Sequence, residues 1–177
     1  EQTNAIRFSK PLTENIRNNK KTTVISPKYG GGTASVEFEA LTGMSNYFML
    51  DNIVPYVTYW NNTSKKIPSI AQQFSENGYT TTAVHPNKGS VYNRDTVYEC
   101  MGFDRFIDSS SLDMSPERIN IDGYYKDLAL AEDIEKLLDT NDPQFIFAVT
   151  IENHALYEKK YSETELKIYS EEISNTN

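Results

Sequence analysis

The sequence is short of several residue types that would announce a chemistry at once. One cysteine, Cys100, excludes an internal disulfide and a cysteine metal cluster. It sits in Val97-Tyr98-Glu99-Cys100-Met101 and reads as a packing residue on a helix rather than a reactive thiol. Positive charge is scarce, with 17 Lys and Arg against 25 Asp and Glu and a net charge of −8. A nucleic-acid binder should present a basic face, so that class of partner is excluded. No apolar run approaches the length of a membrane span and no signal peptide is visible, so the chain as it stands is expected to be soluble. Histidine is limited to His85 and His154. There is no internal repeat and no low-complexity tract.

What is present argues for a folded globule. At 177 residues, with 38% hydrophobic residues and 12 tyrosines, the chain can bury a core as one domain over 1–177. It starts and stops without natural landmarks and reads as a piece of something larger.

The organising stretch is Ser26-Pro27-Lys28-Tyr29-Gly30-Gly31-Gly32-Thr33-Ala34-Ser35-Val36-Glu37-Phe38-Glu39-Ala40-Leu41-Thr42-Gly43. The β-branched run Thr22–Ile25 leads into it as a strand, and proline and three glycines break that strand. Ala34, Phe38 and Leu41 then recur at helical spacing, with Gly43 as the stop. The first N–H groups of a helix have no internal partner and attract an anion, and glycines let a tetrahedral group come close. A hydroxyl at that point, Thr33, can cap the helix or attack the anion; capping is the commoner use. No Gly-Lys-Ser/Thr follows, which excludes a nucleotide phosphate loop.

Along the rest of the chain, residues 11–18 read as a short helix and 44–66 as a long surface loop. A helix over 68–78, with Ile70, Ala71 and Phe74 on one face, precedes a strand at 79–84. A short helix ends at Met101, and a strand follows at 103–108. After a polar loop over 109–122 comes a helix over 125–138 with Leu130, Ile134, Leu137 and Leu138 on one face. A fully buried strand at 144–150 and a charged helix at 162–173 complete the pattern. Strand and helix alternate, so the fold class is α/β with a mostly parallel sheet sandwiched by helices. Ligands of such sheets bind at the carboxyl ends of the strands. Both histidines fall there, His85 after the strand ending at Val84 and His154 after the strand ending at Thr150. Arg94 offers a planar fork suited to phosphate oxygens, although a surface salt bridge with Asp95 would also account for it.

The run from Ser26 to Gly43 resembles the nucleophile segment of the lipoteichoic acid synthase family, phosphoglycerol transferases of the alkaline phosphatase and sulfatase superfamily. Val54-Pro55-Tyr56, Tyr92-Asn93-Arg94-Asp95 and Glu152-Asn153-His154 resemble further blocks of that family. The resemblance implies an alkaline phosphatase/sulfatase-like fold in an incomplete domain. It implies Thr33 as catalytic nucleophile and metal ligand, with His85, Tyr92, Asn93, Arg94 and His154 on the substrate. It implies a divalent metal, Mn2+ first, in the intact enzyme, and weak or no binding by this chain alone. It implies transfer of glycerol phosphate from a phosphatidylglycerol-type lipid head group to a glycerol phosphate polymer or glycolipid, at the extracellular face of the cell membrane.

Some positions depart from the family. Tyr92 stands where well-known members carry tryptophan, and Asn87 where some carry an acid. Glu1 lacks the pattern that should follow the upstream metal carboxylate, and the downstream Asp-His pair does not occur in the chain. The remaining ligands are therefore expected outside it. A non-catalytic phosphate or glycan-binding module, or a sulfatase or phosphoethanolamine transferase relative, would use the same residues.

Overall fold

The computed structural model describes residues 32–49, 53–58 and 65–154. All lie in one compact unit spanning 25–160; a second unit, made of 1–24 and 161–177, is outside the described residues. The expected strand at 22–25, most of the glycine turn and the helices at 11–18 and 162–173 are likewise outside them.

The unit is built on strand β1, Thr80–Val84, with β2, Arg105–Ile107, on one side and β3, Gln144–Ala148, on the other. Both pairings are parallel, with Ala83 opposite Phe106 and Phe147. The sequence Thr-Thr-Thr-Ala-Val suits a central strand: β-branched side chains pack on a pleated surface, and both faces are covered. Successive side chains point to opposite faces, and the packing follows that rule. Ala83 joins a core of Ala34, Phe38, Tyr56, Ala71, Val97, Tyr98 and Met101. Val84 joins a second core of Tyr125, Ala129, Leu130 and Ile151.

The first core is supplied by α1, Thr33–Thr42, α2, Pro55–Thr58, α3, Ile70–Glu76, and α4, Arg94–Cys100. The second takes in α5, Asp127–Leu138. Helices therefore cover both faces of a parallel sheet, as the alternation of elements predicts. Ser69 caps α3 by accepting the Gln72 N–H at 3.1 Å.

Several expectations are corrected. The loop read over 44–66 contains a 3-10 turn at Asn46–Phe48 and α2, and Tyr56 is fully buried between Phe38 and Tyr98. Aromatic packing, not periodicity, holds this segment down. Strand β3 ends at Ala148 and is half-buried, because among the described residues it is an outer strand of the sheet. Ile70 and Leu138 are exposed at the ends of their helices, where the apolar stripe has rotated off the core.

Candidate active site

Helix α1 begins in an unusual way. Its N-cap is Gly32, in the left-handed region at φ 86°, with no side chain to cap the helix. Thr33 is the first helical residue and is exposed. The hydroxyl is thus free of the capping role that its residue type suggests. The first intrahelical bonds run from Ser35 N–H and Val36 N–H to the Gly32 carbonyl at 2.9 and 3.3 Å. The N–H groups of Thr33 and Ala34 precede them and share the positive end of the helix.

One turn further on, Glu37 lies on the buried face of α1 with Ala34, Phe38 and Leu41. Its carboxylate receives a two-pronged bond from Arg94, Nη2 to Oε1 at 2.6 Å and Nε to Oε2 at 3.1 Å. The Tyr98 hydroxyl donates to Oε2 at 2.7 Å. Arg94 is 2% exposed and Glu37 3%. Burial opposes the arginine's charge, but the hydrogen bonds and charge of Glu37 more than offset it, so its pKa is raised. Burial and then the same carboxylate push the Tyr98 hydroxyl upward, which keeps it a donor. The Tyr56 hydroxyl is buried nearby, and burial followed by the charge of Glu37 raises its pKa.

Arg94 is therefore not a surface partner of Asp95, whose carboxylate accepts from the Thr96 N–H. Of its five donors, two go to Glu37 and one, on Nη1, goes to the Val91 carbonyl at 3.2 Å. Tyr98 is a further hydrogen-bond partner of the guanidinium.

The turn that delivers Arg94 is strained. Tyr92 and Asn93 are both left-handed, at φ 60° and 56°, which costs about 1–2 kcal/mol per residue. Asn93 starts α4 without a side-chain cap bond. The Tyr92 ring stacks 5.2 Å from the Arg94 guanidinium carbon.

His85 follows β1 directly. Its N–H donates to the Ile107 carbonyl, and ring Nδ1 lies 2.9 Å from the Val149 carbonyl at the end of β3. A carbonyl can only accept, so Nδ1 carries the proton and Nε2 is left as an acceptor in the neutral ring. Burial is the main cause that lowers the His85 pKa, and the charges of Arg94 and His154 act the same way. The Val149 bond and Glu37 oppose them. His85 is thus within electrostatic reach of Arg94, Glu37 and His154. His154 itself is exposed on a turn closed by its N–H to Ile151, with its ring 5.6 Å from that of Tyr124.

No three His, Cys, Asp or Glu side chains among the described residues could together hold a metal ion. Thr33 would offer one neutral oxygen, so these residues alone do not fit the ion that the resemblance implies.

Glu37 and Tyr98 lie in or beside the runs that resemble the family, but neither periodicity nor motif assigns them a role. A signal for Glu37 exists: it is an acid on the apolar face set by Ala34, Phe38 and Leu41, and such a position calls for a buried cation.

Parallel strands, a helix whose first turn presents a hydroxyl, and a histidine directly past a strand end make an α/β arrangement that could receive a tetrahedral anion. The Sulfatase family profile matches residues 2–176, and the chain belongs to that family. A Rhizobium meliloti protein named for cyclic beta-1,2-glucan modification is 40% identical over 148 residues, 82% of this chain and 22% of its own length. Lipoteichoic acid synthase 1 of Bacillus subtilis is 31% identical over 137 residues, 77% of this chain and 21% of its own. The chain thus spans about a fifth of the curated relatives it matches. Among solved structures, the Streptococcus pyogenes phosphoglycerol transferase GacH, in complex with sn-glycerol-1-phosphate, superposes with a TM-score of 0.64. It is 28% identical, over 83% of this chain and 39% of that one. The lipoteichoic acid synthase LtaP of Listeria monocytogenes shares the fold, with a TM-score of 0.58 at 22% identity over 73% of this chain and 30% of its own. The fold of this chain is the one these solved structures share.

Proposed function

We propose that the intact protein is a phosphoglycerol transferase and that residues 1–177 form part of a single catalytic domain. The observation that carries this reading is the exposed Thr33 hydroxyl, relieved of capping by Gly32 and set one turn before the buried Glu37–Arg94 pair. A tetrahedral phosphate would be held by the first N–H groups of α1, with the positive charge of Arg94 favouring it. Thr33 Oγ would then form a bond to phosphorus as the bond to the diacylglycerol oxygen breaks. The threonine proton is lost to water, and the leaving oxygen takes one up. In the second half, a hydroxyl of a glycerol phosphate polymer or glycolipid forms the new bond to phosphorus and Thr33 Oγ is released.

Neutral His85, with Nε2 as acceptor, suits a glycerol hydroxyl. Asn93, beside Arg94, and Tyr92, stacked on it, would border the head group. His154 at the rim would donate to the phosphate or to the leaving oxygen. The manganese ion that the resemblance implies would need ligands from outside the described residues besides Thr33. The location that fits such a substrate is the extracellular face of the cell membrane.

The test uses the full-length parent protein with a fluorescent phosphatidylglycerol. Turnover is expected, together with a phosphoglycerol adduct mapped by mass spectrometry to the Thr33 peptide. Thr33→Ala should lose both while changing stability by no more than about 0.5 kcal/mol, because Thr33 is exposed and is not the cap. Robust turnover by Thr33→Ala refutes the nucleophile. Binding without turnover by the unmodified protein would mark a non-catalytic module.

A further inference from the structure

Resting on that reading of the site, we infer that Glu37 is a positioning residue, whose carboxylate fixes the Arg94 guanidinium relative to Thr33 so that nucleophile and phosphate clamp form one rigid unit. Three observations converge on it. Glu37 is four residues after Thr33 on the same helix, so the two lie on one side of α1, a single turn apart. Its two oxygens take the Nε and Nη2 edge of Arg94, which sets the plane of the guanidinium and leaves the remaining N–H groups at fixed angles. A third bond, from Tyr98 one turn along α4 from Arg94, prevents the carboxylate from rotating. Glu37 thus ties α1 to α4 across 57 residues of sequence.

The strained turn belongs to the same device. Tyr92 and Asn93 are held left-handed immediately before Arg94, and the Tyr92 ring lies against the guanidinium. Such strain persists only where the surroundings over-determine it, and the buried ion pair is the anchor that does so here. A pair serving stability alone could be replaced by apolar side chains at little loss. This one instead anchors a left-handed turn and holds a helix that carries an exposed hydroxyl one turn away.

The experiment measures binding of sn-glycerol-1-phosphate to the full-length parent protein by calorimetry, with turnover measured in parallel. Glu37→Gln keeps the shape of the side chain but removes its charge. It should weaken binding by about tenfold or more, as loss of an orienting partner commonly does, while the melting transition stays cooperative. In the double variant Glu37→Gln/Arg94→Gln, binding should be no weaker than in Arg94→Gln alone, because Glu37 acts through Arg94. Additive losses, or unchanged binding in a folded Glu37→Gln, overturn the inference. If Glu37→Gln does not fold, Tyr98→Phe frees the carboxylate while keeping the ion pair, and should still weaken binding by about tenfold, the lower worth of a hydrogen bond to a charged group. Unchanged binding there is equally fatal. Should the unmodified protein bind the probe without turning lipid over, the transferase reading fails while Glu37 is still judged by its effect on binding.

Discussion

Two arginines in this unit are built into the same kind of cluster and do different things. Arg94 meets Glu37, a tyrosine hydroxyl joins the carboxylate, and an aromatic ring lies against the guanidinium. Arg118 meets Asp133 at 2.8 Å, the Tyr125 hydroxyl donates to the same Asp133 oxygen, and the Tyr125 ring lies 5.4 Å from the guanidinium. Glu37, Arg94 and Tyr98 of the first cluster are almost wholly out of water and join two helices. The second is partly solvated, joins residues close in sequence, and fastens the loop before α5 to that helix. Chemistry alone therefore does not mark a site. Burial, sequence separation and attachment to the helix that begins at Thr33 distinguish the first cluster from the second.

The largest effect should come from breaking the buried cluster outright. Glu37→Ala leaves the Arg94 charge out of water with no counter-charge and strands the Tyr98 hydroxyl as well. Removing one member of a buried pair typically costs about 3–5 kcal/mol. Urea unfolding of the full-length protein should show a fall of that order. A loss below about 1 kcal/mol would mean that water reaches the pair and that the two clusters are alike.

The sequence made one half of this comparison readable and hid the other. Thr33, His85 and Arg94 could be singled out because a glycine turn, a strand end and a motif point to each. The parallel sheet was equally legible, since β-branched strands alternate with amphipathic helices and β1 has both faces covered. Glu37 was not found, because its role depends on a residue 57 positions away that only folding brings near. The residue type of Thr33 suggested a cap, whereas the left-handed φ of Gly32 gives that position to the glycine. Tyr56 reads as part of a surface loop because a four-residue helix shows no periodicity; its burial comes from ring contacts with Phe38 and Tyr98. The apolar stripe of α5 over-reached at Leu138 because the helix runs beyond the layer it covers.

An intermediate effect should follow pH and separate the buried end of the sheet from the exposed cluster. Burial, aided by the charge of Arg94, lowers the His85 pKa from its ordinary value of 6.5. The folded protein therefore binds this proton less readily than the unfolded chain does. Stability should be complete above about pH 6.5 and decline as pH falls through that value toward the folded pKa. Asp108 and Asp133 are also lowered, from 3.8: burial alone would raise them, but their hydrogen bonds prevail. Their contribution is lost in a separate, more acidic window. Thermal melts of the unmodified protein and of His85→Gln, taken between pH 7.5 and 5, should differ in slope, the variant being flatter. Equal slopes would show that His85 is free to charge in the folded state.

The smallest effect should come from the outer arm of the solvated cluster, and its smallness is the sharper half of the comparison. Arg118 Nη1 reaches Glu132 at 2.9 Å, but Glu132 is 51% exposed. Water already solvates that carboxylate, and holding two long side chains in one geometry costs rotamer freedom. Glu132→Ala also leaves no buried charge uncompensated. Arg118 retains Asp133, the Tyr125 hydroxyl and the Ala129 carbonyl. The expected loss is about 0–1 kcal/mol and should shrink further at high salt, where exposed charges are screened. Unfolding midpoints of Glu132→Ala measured in low and high salt test this against Glu37→Ala, whose loss should persist because its pair is shielded from ions. A salt-independent loss above about 2 kcal/mol at Glu132 would show that the second cluster is a buried anchor like the first, and the difference between the two arginines would then need another origin.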